Sequence, residues 1–168
     1  MNAVKHISEC LPSVGYAANE AQLLRRALKL LSKKLCESGA AITSPEAASE
    51  QARLYLNLML AQKEQEVFVV MFLDSQNCLI DVAELFRGTI DGTSVYPQEV
   101  VKAVLAANAA AVIVAHNHPS GNPKPSNADK LLTQRLQESL RLVDVRVLDH
   151  VVVGKELTFS FASAGLID

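Results

Sequence analysis

Two short, almost wholly apolar runs limit most strongly what this chain can fold into. The first is EVFVVMFLD, residues 66–74, and the second is AAAVIVA, residues 109–115. Apolar runs of this length that contain β-forming residues are typical of strands buried on both faces. We therefore predict a buried strand at each of these two places, and the remaining segments have to be consistent with them.

Helical patterns alternate with these strands. The spacing of apolar residues predicts helices over residues 19–35, 43–63 and 97–108, and a further helix that carries Leu132, Leu136 and Leu140 on one face. Further strands are predicted in LIDVAELFRGT, VDVRVLDHVVVG and LTFSF. The first 18 residues have no clear period and are expected to form a loop or arm. The fold class is α/β or α+β with a mixed sheet.

The composition is that of a soluble globular domain. Of the 168 residues, 49% are hydrophobic and 20% are charged, and the net charge of −2 argues against a DNA-binding surface over the whole molecule. The three cysteines are far apart and contain no Cys-x-x-Cys pair, which excludes a disulfide framework and an all-cysteine zinc site. We expect no signal peptide and no membrane span, and hence a cytoplasmic protein.

One segment carries the residues of a metal site. His116-Asn117-His118 follows directly on the second apolar run, and alternation along a strand turns both imidazoles to the same side. A proline-rich loop then leads to a helix whose first turn presents Asp129. Two nitrogens and one carboxylate are typical ligands of Zn²⁺, and three protein ligands leave one position open, as in catalytic zinc sites. The sequence therefore predicts a water-activating zinc site at His116, His118 and Asp129.

A structural explanation exists for part of this pattern. Ser126-x-x-Asp129 at a helix start also fits a capping box, in which serine caps the helix and aspartate lies in its first turn. The full combination of two histidines, a serine and an aspartate at these spacings favours the metal site. Its place after a buried strand, in a loop rich in proline and glycine, is also where functional residues concentrate.

The spacing H-x-H-x7-S-x-x-D resembles the JAMM (MPN-plus) signature, and the surrounding sequence resembles the bacterial RadC family. The similar stretches are EVFVVMFLD, ELFRGTIDG, SVYPQEVVK, AAAVIVAHNHPSGNPKPSNAD and VRVLDHVVVG, within residues 43–168. The resemblance implies a JAB/MPN-like fold of the cytidine-deaminase-like class, with a mixed sheet packed between helices. It also implies that Ser126 stabilises the oxyanion and that an upstream glutamate acts as general acid and base.

The resemblance leaves the identity of that glutamate open. Glu66, at the start of EVFVV, matches the family position best. Glu64 is one pleat away, and Glu84 is a further candidate. His150 is interpreted as a hydrogen-bonded wall residue, with a supporting position behind the ligands as the alternative. Asn117 and Asn122 are expected to fix the loop backbone, as asparagines in turns do.

Longer RadC proteins carry a helix-hairpin-helix region before the JAMM domain. Residues 1–42 instead contain an arm and one basic amphipathic helix without a Gly-x-Gly hairpin pattern, so we expect a short form. The leading hypothesis is a zinc hydrolase that cleaves a peptide, isopeptide or other amide bond in a peptide or protein substrate. The alternatives are a DNA-associated factor that uses the basic helix and a zinc-bearing interaction module without turnover. The substrate and the oligomeric state stay open.

Overall fold

The structure, a computed structural model, describes residues 5–6, 18–37, 45–88 and 95–167. The helices in these ranges are α1 (Ala18–Glu37), α2 (Pro45–Leu60), α3 (Pro97–Ala106) and α4 (Asn127–Arg141). The strands are β1 (Lys5–His6), β2 (Val67–Leu73), β3 (Leu79–Arg87), β4 (Ala111–Asn117), β5 (Arg146–Val153) and β6 (Thr158–Ser160). The predicted mixed α/β class is confirmed.

The described strands form one mixed sheet in the order β1-β3-β2-β4-β5-β6. Neighbouring strands are antiparallel except for β4 and β5, which run parallel. Parallel neighbours need a crossover connection, and α4 lies in the crossover from β4 to β5. The loop that carries the motif therefore joins the end of β4 to the start of this crossover helix.

Alternate residues of the central strand β2 enter two apolar layers, one on each face of the sheet. Val67, Val69 and Met71 pack with α1 and α2, and we call this side the α1/α2 face. Phe68 and Val70 pack with α3 and α4 on the α3/α4 face. Burying each large apolar side chain contributes about 1.5–3 kcal/mol, so the two layers together specify which way every β2 residue points. Both apolar runs of the sequence are buried strands, as predicted.

The N-terminal segment differs from the expectation in one respect. Lys5 and His6 form a short strand that pairs with Glu84 and Ala83 of β3, where the sequence predicts a loop or arm. A strand of two residues has no periodicity to detect, and its pairing is set by the edge that β3 offers. The rest of the predicted arm lies outside the described residues.

The basic helix α1 packs against the domain through its apolar side. Leu28 is buried in the α1/α2 layer. The basic residues of the opposite side are all exposed, as predicted: Arg25, Arg26, Lys29, Lys33 and Lys34. Within the ranges that the structure describes, no helix combines the length and the apolar character that a membrane span requires.

Candidate metal centre

Three side chains converge where β4 ends and α4 begins. The ligand-type atoms of His116, His118 and Asp129 all lie within 4.8 Å of one another. Nε2 of His116 is 3.0 Å from Nε2 of His118. Oδ1 of Asp129 is 3.3 Å from the first of these nitrogens, and its Oδ2 is 3.5 Å from the second. His116 is buried and the other two are half-buried, so the cluster reaches solvent on the side of His118 and Asp129.

Strand β4 directs both histidines to the same face of the sheet. His116 lies opposite Phe68 of β2, whose side chain is on the α3/α4 face. The N–H of His118 donates to the carbonyl of Val153 at 2.9 Å, which extends the ladder between β4 and β5 by one residue. Because side chains two residues apart in extended chain point the same way, both imidazoles face α4. The predicted convergence of the two histidines with Asp129 is confirmed.

Helix α4 holds the third member of the cluster by its cap. Ser126 is the N-cap, and its Oγ accepts from the N–H of Asp129 at 3.1 Å. Oδ2 of Asp129 accepts from the N–H of Ser126 at 2.6 Å and from its hydroxyl at 2.7 Å. The capping box and the ligand cluster are therefore not alternatives, since the cap itself holds the carboxylate against the histidines.

The loop between the ligands is fixed by a contact that requires glycine. A Cβ at Gly154 would lie 2.5 Å from the carbonyl oxygen of Gly121 and 2.9 Å from Cδ of Pro123. The same carbonyl accepts from the N–H of Lys155 at 3.1 Å. Gly121 has φ +82°, in the left-handed region that favours glycine. The turn after β5 thus sets the path of the chain between His118 and the start of α4.

The hydrogen bonds behind the histidines leave nitrogen lone pairs in the cluster. Nδ1 of His118 donates to the carbonyl of Asn122 at 2.8 Å, because a carbonyl only accepts. Neutral His118 therefore has its lone pair on Nε2. His116 also presents Nε2 to the cluster, and its Nδ1 is 2.9 Å from Nε2 of His150. Two such nitrogens beside a carboxylate need a proton or a cation between them.

The electrostatics of the cluster agree with this conclusion. Burial raises the pKa of Asp129, but hydrogen bonds with His116 and His118 outweigh burial and hold this pKa well below its usual range. The hydrogen bond to Asp129 raises the pKa of His118 above its ordinary value against the effect of burial, and the charge of Glu66 adds to the rise. Asp129 stays ionised, and positive charge is stabilised beside it.

The donor set fits a divalent metal ion. Tetrahedral bonds of about 2.0–2.2 Å place ligand atoms roughly 3.3–3.6 Å apart. The separations of 3.0, 3.3 and 3.5 Å among the three side chains are close to this range. Imidazole nitrogen and carboxylate oxygen are ligands that zinc and its neighbours in the transition series accept. The cluster therefore has the chemistry and the spacing of a metal site.

Glu66 directly precedes β2, at the end of the sheet where β4 finishes. The last Cα pair of β2 and β4 is Phe68 with His116, and continuing this antiparallel register by two residues would bring Glu66 opposite His118. The carbonyl of Glu66 accepts from the N–H of Gly88 at 2.8 Å, which continues the pairing of β2 with β3 to this residue. The charge of Glu66 also contributes to the raised pKa of His118. Of the three candidate glutamates, Glu66 is the one whose charge acts on His118.

The other two candidate glutamates are placed differently. Glu84 pairs with Val69 and so lies on the α1/α2 face, with the sheet between it and the cluster. Its Oε1 is 2.7 Å from Nη2 of Arg87. Glu64 is exposed in the turn before β2. Among the three candidates, Glu84 is the one whose side chain leaves the sheet on the opposite face from the histidines.

Asn117, between the two histidines, points away from them and holds the segment before β2. Its Oδ1 accepts from the N–H of Val67 at 2.8 Å. Its Nδ2 donates to the carbonyls of Lys63 and Gln65 at 3.1 and 3.0 Å. The expectation that Asn117 fixes its own loop is wrong, since it is a strand residue that clamps a distant segment. That segment carries Glu66 at its end.

Two buried residues, His150 and Thr133, lie behind the cluster. His150 is a buried wall residue, as interpreted, and it contacts His116. Thr133, which the sequence reasoning missed, is 2.6 Å from Nδ1 of His150 through its Oγ1. Its position four residues after Asp129, on the same side of α4, is the signal that could have found it. Asn122 accepts from the N–H of Lys124 at 3.0 Å within the loop, as expected.

Comparisons with known proteins agree with the fold and the cluster. The family model described as "RadC-like JAB domain" matches residues 42–166. The UPF0758 protein YkfG of Escherichia coli is 53% identical over 146 residues, which are 87% of this chain and 90% of the relative. The UPF0758 protein YeeS of the same organism is 51% identical over 148 residues, covering 88% and 97%. The UPF0758 protein HEAR2468 of Herminiimonas arsenicoxydans is 52% identical over 145 residues, and the match spans 63% of its length.

The mixed sheet, the crossover helix and the cluster of two histidines and an aspartate define a JAB-like domain with a candidate metal site. Within that class, the family is identified by the family model, which matches most of the chain. The protein belongs to the RadC-like JAB domain family.

Proposed function

We propose that this protein is a zinc-dependent hydrolase that cleaves an amide bond in a peptide or protein, including an isopeptide bond. The observation that supports the proposal is the convergence of His116, His118 and Asp129, together with the charge of Glu66 that acts on His118. Three donors with one open side are the arrangement of catalytic zinc sites, whereas structural sites are closed by a fourth protein ligand.

In this proposal each side chain has a separate role. His116, His118 and Asp129 hold the zinc ion, which when bound polarises a carbonyl and lowers the pKa of water. Glu66 accepts a proton from the attacking water and passes it to the nitrogen of the departing amine. In this role the carboxylate of Glu66, which directly precedes β2, would lie on the open side of the cluster, beside both proton transfers.

Ser126 is proposed to stabilise the oxyanion, and its geometry sets a condition on that role. Its hydroxyl donates to Oδ2 of Asp129 at 2.7 Å. To donate to an oxyanion, the hydroxyl hydrogen has to turn away from Asp129. The N–H of Ser126 keeps its own hydrogen bond to the same carboxylate oxygen, so the carboxylate stays in place while the hydroxyl turns. Removing one oxyanion donor typically lowers kcat about 100- to 1,000-fold.

A DNA-associated role requires a basic surface beside the cluster. The exposed basic residues of α1 belong to a helix that packs on the α1/α2 face, whereas the cluster is on the α3/α4 face. The basic helix is therefore on the wrong side of the sheet to present a nucleic acid to the proposed zinc ion. This placement favours the peptide- or protein-directed hydrolase.

The first experiment measures zinc per chain and hydrolysis together. We expect about one zinc ion in the wild type and a loss in His116→Ala and Asp129→Ala. Glu66→Gln is expected to keep zinc and to lower hydrolysis of peptide and isopeptide substrates by at least about 100-fold. Glu64→Gln is the matched control, because it removes an exposed carboxylate two residues away, and it is expected to retain activity.

The outcomes separate the functions. A zinc-loaded Glu66→Gln variant with full activity would show that Glu66 is not the base. A zinc-loaded wild type that hydrolyses no amide substrate would indicate an interaction module without turnover. A wild type that takes up no zinc would leave the cluster as a cap of α4 alone. Salt-sensitive DNA binding that depends on the α1 basic residues would support the DNA-associated role.

A further inference from the structure

Four polar groups form a continuous hydrogen-bonded chain behind the cluster. Nδ1 of His116 is 2.9 Å from Nε2 of His150. Nδ1 of His150 is 2.6 Å from Oγ1 of Thr133. The same Oγ1 is 2.7 Å from the backbone carbonyl oxygen of Asp129. The chain thus begins at one proposed ligand and ends on the backbone of another.

The direction of the hydrogens follows from the carbonyl end. A carbonyl only accepts, so the hydrogen at the 2.7 Å contact belongs to the hydroxyl of Thr133. That hydroxyl has no second hydrogen, so the hydrogen at the 2.6 Å contact is on Nδ1 of His150. Neutral His150 then accepts at Nε2, and the hydrogen at the 2.9 Å contact is on Nδ1 of His116. The lone pair of His116 is thereby left on Nε2, the atom that faces the cluster.

The surroundings keep His150 neutral and in place. Its exposed fraction is 0%, and Phe161 stacks on its ring with centroids 4.8 Å apart and planes at 19°. Phe68 meets the ring edge-on at 6.1 Å. A charged imidazolium is costly in such apolar surroundings, and the two groups that hydrogen-bond to the ring of His150 carry no negative charge. His150 therefore has one hydrogen to place, and Thr133 determines on which nitrogen it sits.

We propose that His150 and Thr133 are positioning residues that fix the tautomer of His116, so that its Nε2 is free to bind a metal ion. The inference rests on the proposed metal site. Metal-binding histidines usually donate their other nitrogen to a carboxylate, a carbonyl or water. Here the acceptor is a second, neutral imidazole, which adds no negative charge behind the cluster. Asp129 then supplies the single negative charge among the proposed ligands.

Thr133→Val tests the chain at a residue that touches neither ligand nitrogen. Valine keeps the shape of threonine but leaves Nδ1–H of His150 without an acceptor. It is then more favourable for His150 to carry its hydrogen on Nε2 and to donate it to Nδ1 of His116. The hydrogen of His116 then has to sit on Nε2, its ligand nitrogen. We expect zinc affinity, measured by competition with a chelator, to fall about 10- to 100-fold. Thr133→Ser restores the hydroxyl and is expected to restore the affinity.

Nitrogen-detected NMR of the metal-free protein reads the tautomer directly. In the wild type at pH 8 we expect the ring hydrogen of His116 on Nδ1, and in Thr133→Val a major population with it on Nε2. Phe161→Leu is the packing control: it removes the stacked ring without touching the chain, so it should lower stability but leave the tautomer unchanged.

Two results would overturn the inference. The first is a wild-type His116 with its hydrogen on Nε2 in the metal-free protein. The second is a Thr133→Val variant whose His116 tautomer matches the wild type and whose zinc affinity is within about twofold of it. Neither readout uses hydrolysis, so a failure of the hydrolase proposal alone would leave both measurements valid.

Discussion

Replacing Asn117 by alanine removes the clamp between the metal-ligand strand and the segment that carries Glu66. The side chain is 2% exposed and makes three hydrogen bonds to the backbone of residues 63–67. The N–H of Val67 loses its partner in a buried place, which costs about 1–3 kcal/mol. The carbonyls of Lys63 and Gln65 lie nearer the surface, where water replaces part of the lost bonding, at about 0.5 kcal/mol each.

Together these losses predict a decrease of about 3 kcal/mol in the free energy of unfolding. Chemical denaturation followed by circular dichroism measures this decrease, and the slope of the transition should stay unchanged. Asn122→Ala is the matched control. It removes an exposed asparagine from the loop that follows β4 and leaves the backbone carbonyl that His118 contacts, so a change below about 1 kcal/mol is expected.

The same variant also distinguishes the contribution of the Asn117 clamp from that of the metal-ligand cluster. Asn117→Ala leaves His116, His118 and Asp129 unchanged, so the protein should still take up zinc. Hydrolysis should fall, because the segment that carries Glu66 is no longer held to β4. An Asn117→Ala protein within about 0.5 kcal/mol of the wild type would refute the reasoning, since three buried or half-buried hydrogen bonds would then contribute almost nothing.

Three further predictions concern Gly154, the buried carboxyl of Asp149 in β5, and the proposed zinc ion. Gly154→Ala should lower the free energy of unfolding by about 1–3 kcal/mol, because the new Cβ meets the carbonyl of Gly121; a thermal shift below 1 °C would contradict this. Burial raises the pKa of Asp149 above its ordinary value. Ionisation of this carboxyl therefore lowers the free energy of unfolding of the wild type as pH rises from about 4 through the raised pKa. The stability of Asp149→Asn relative to the wild type should rise over that pH window. A stability difference that does not change with pH would contradict the prediction. Removing zinc with a chelator should lower the melting temperature of the zinc-loaded wild type. The lost stability is about 4 kcal/mol if the free zinc concentration was a thousand times Kd, and His116→Ala should show no change.

The sequence was sufficient for the features that depend on local spacing. Alternation along β4 and the N-terminal turn of α4 bring His116, His118 and Asp129 together, and both rules can be applied to the letters alone. The buried strands could be predicted for the same reason, because a strand covered on both faces has to be apolar throughout. In each case the physical rule acts within a few residues of chain.

The choice among the glutamates depended on a feature that spacing does not reveal. The register of β2 and β3 shifts between Phe68 and Val69, so Phe86 lies opposite Phe68 while Glu84 lies opposite Val69. Without this bulge, Glu84 and Phe86 would lie on the same face, since they are two residues apart. The bulge turns Glu84 to the other side of the sheet, and no residue type in that stretch of the sequence predicts the bulge.

The sequence also did not reveal which residues far apart along the chain form hydrogen bonds with each other. Asn117 binds backbone groups about 50 positions earlier, and His150 meets His116 from a strand that follows the crossover helix. Both contacts arise from the order of strands in the sheet, which a single sequence does not specify. The residue types were informative, because a buried asparagine and a buried histidine both require partners, but the partners could be named only from the folded chain.

The strand order also has a consequence for synthesis of the chain. β2 lies between β3 and β4, yet β2 and β3 both emerge from the ribosome before β4 does. Until then the nascent chain presents a strand that is apolar on both faces and has one unpaired edge, which is the type of surface that associates with other chains. Fragments that stop before residue 111 should therefore aggregate or bind chaperones, and release should follow once β4 emerges and pairs with β2.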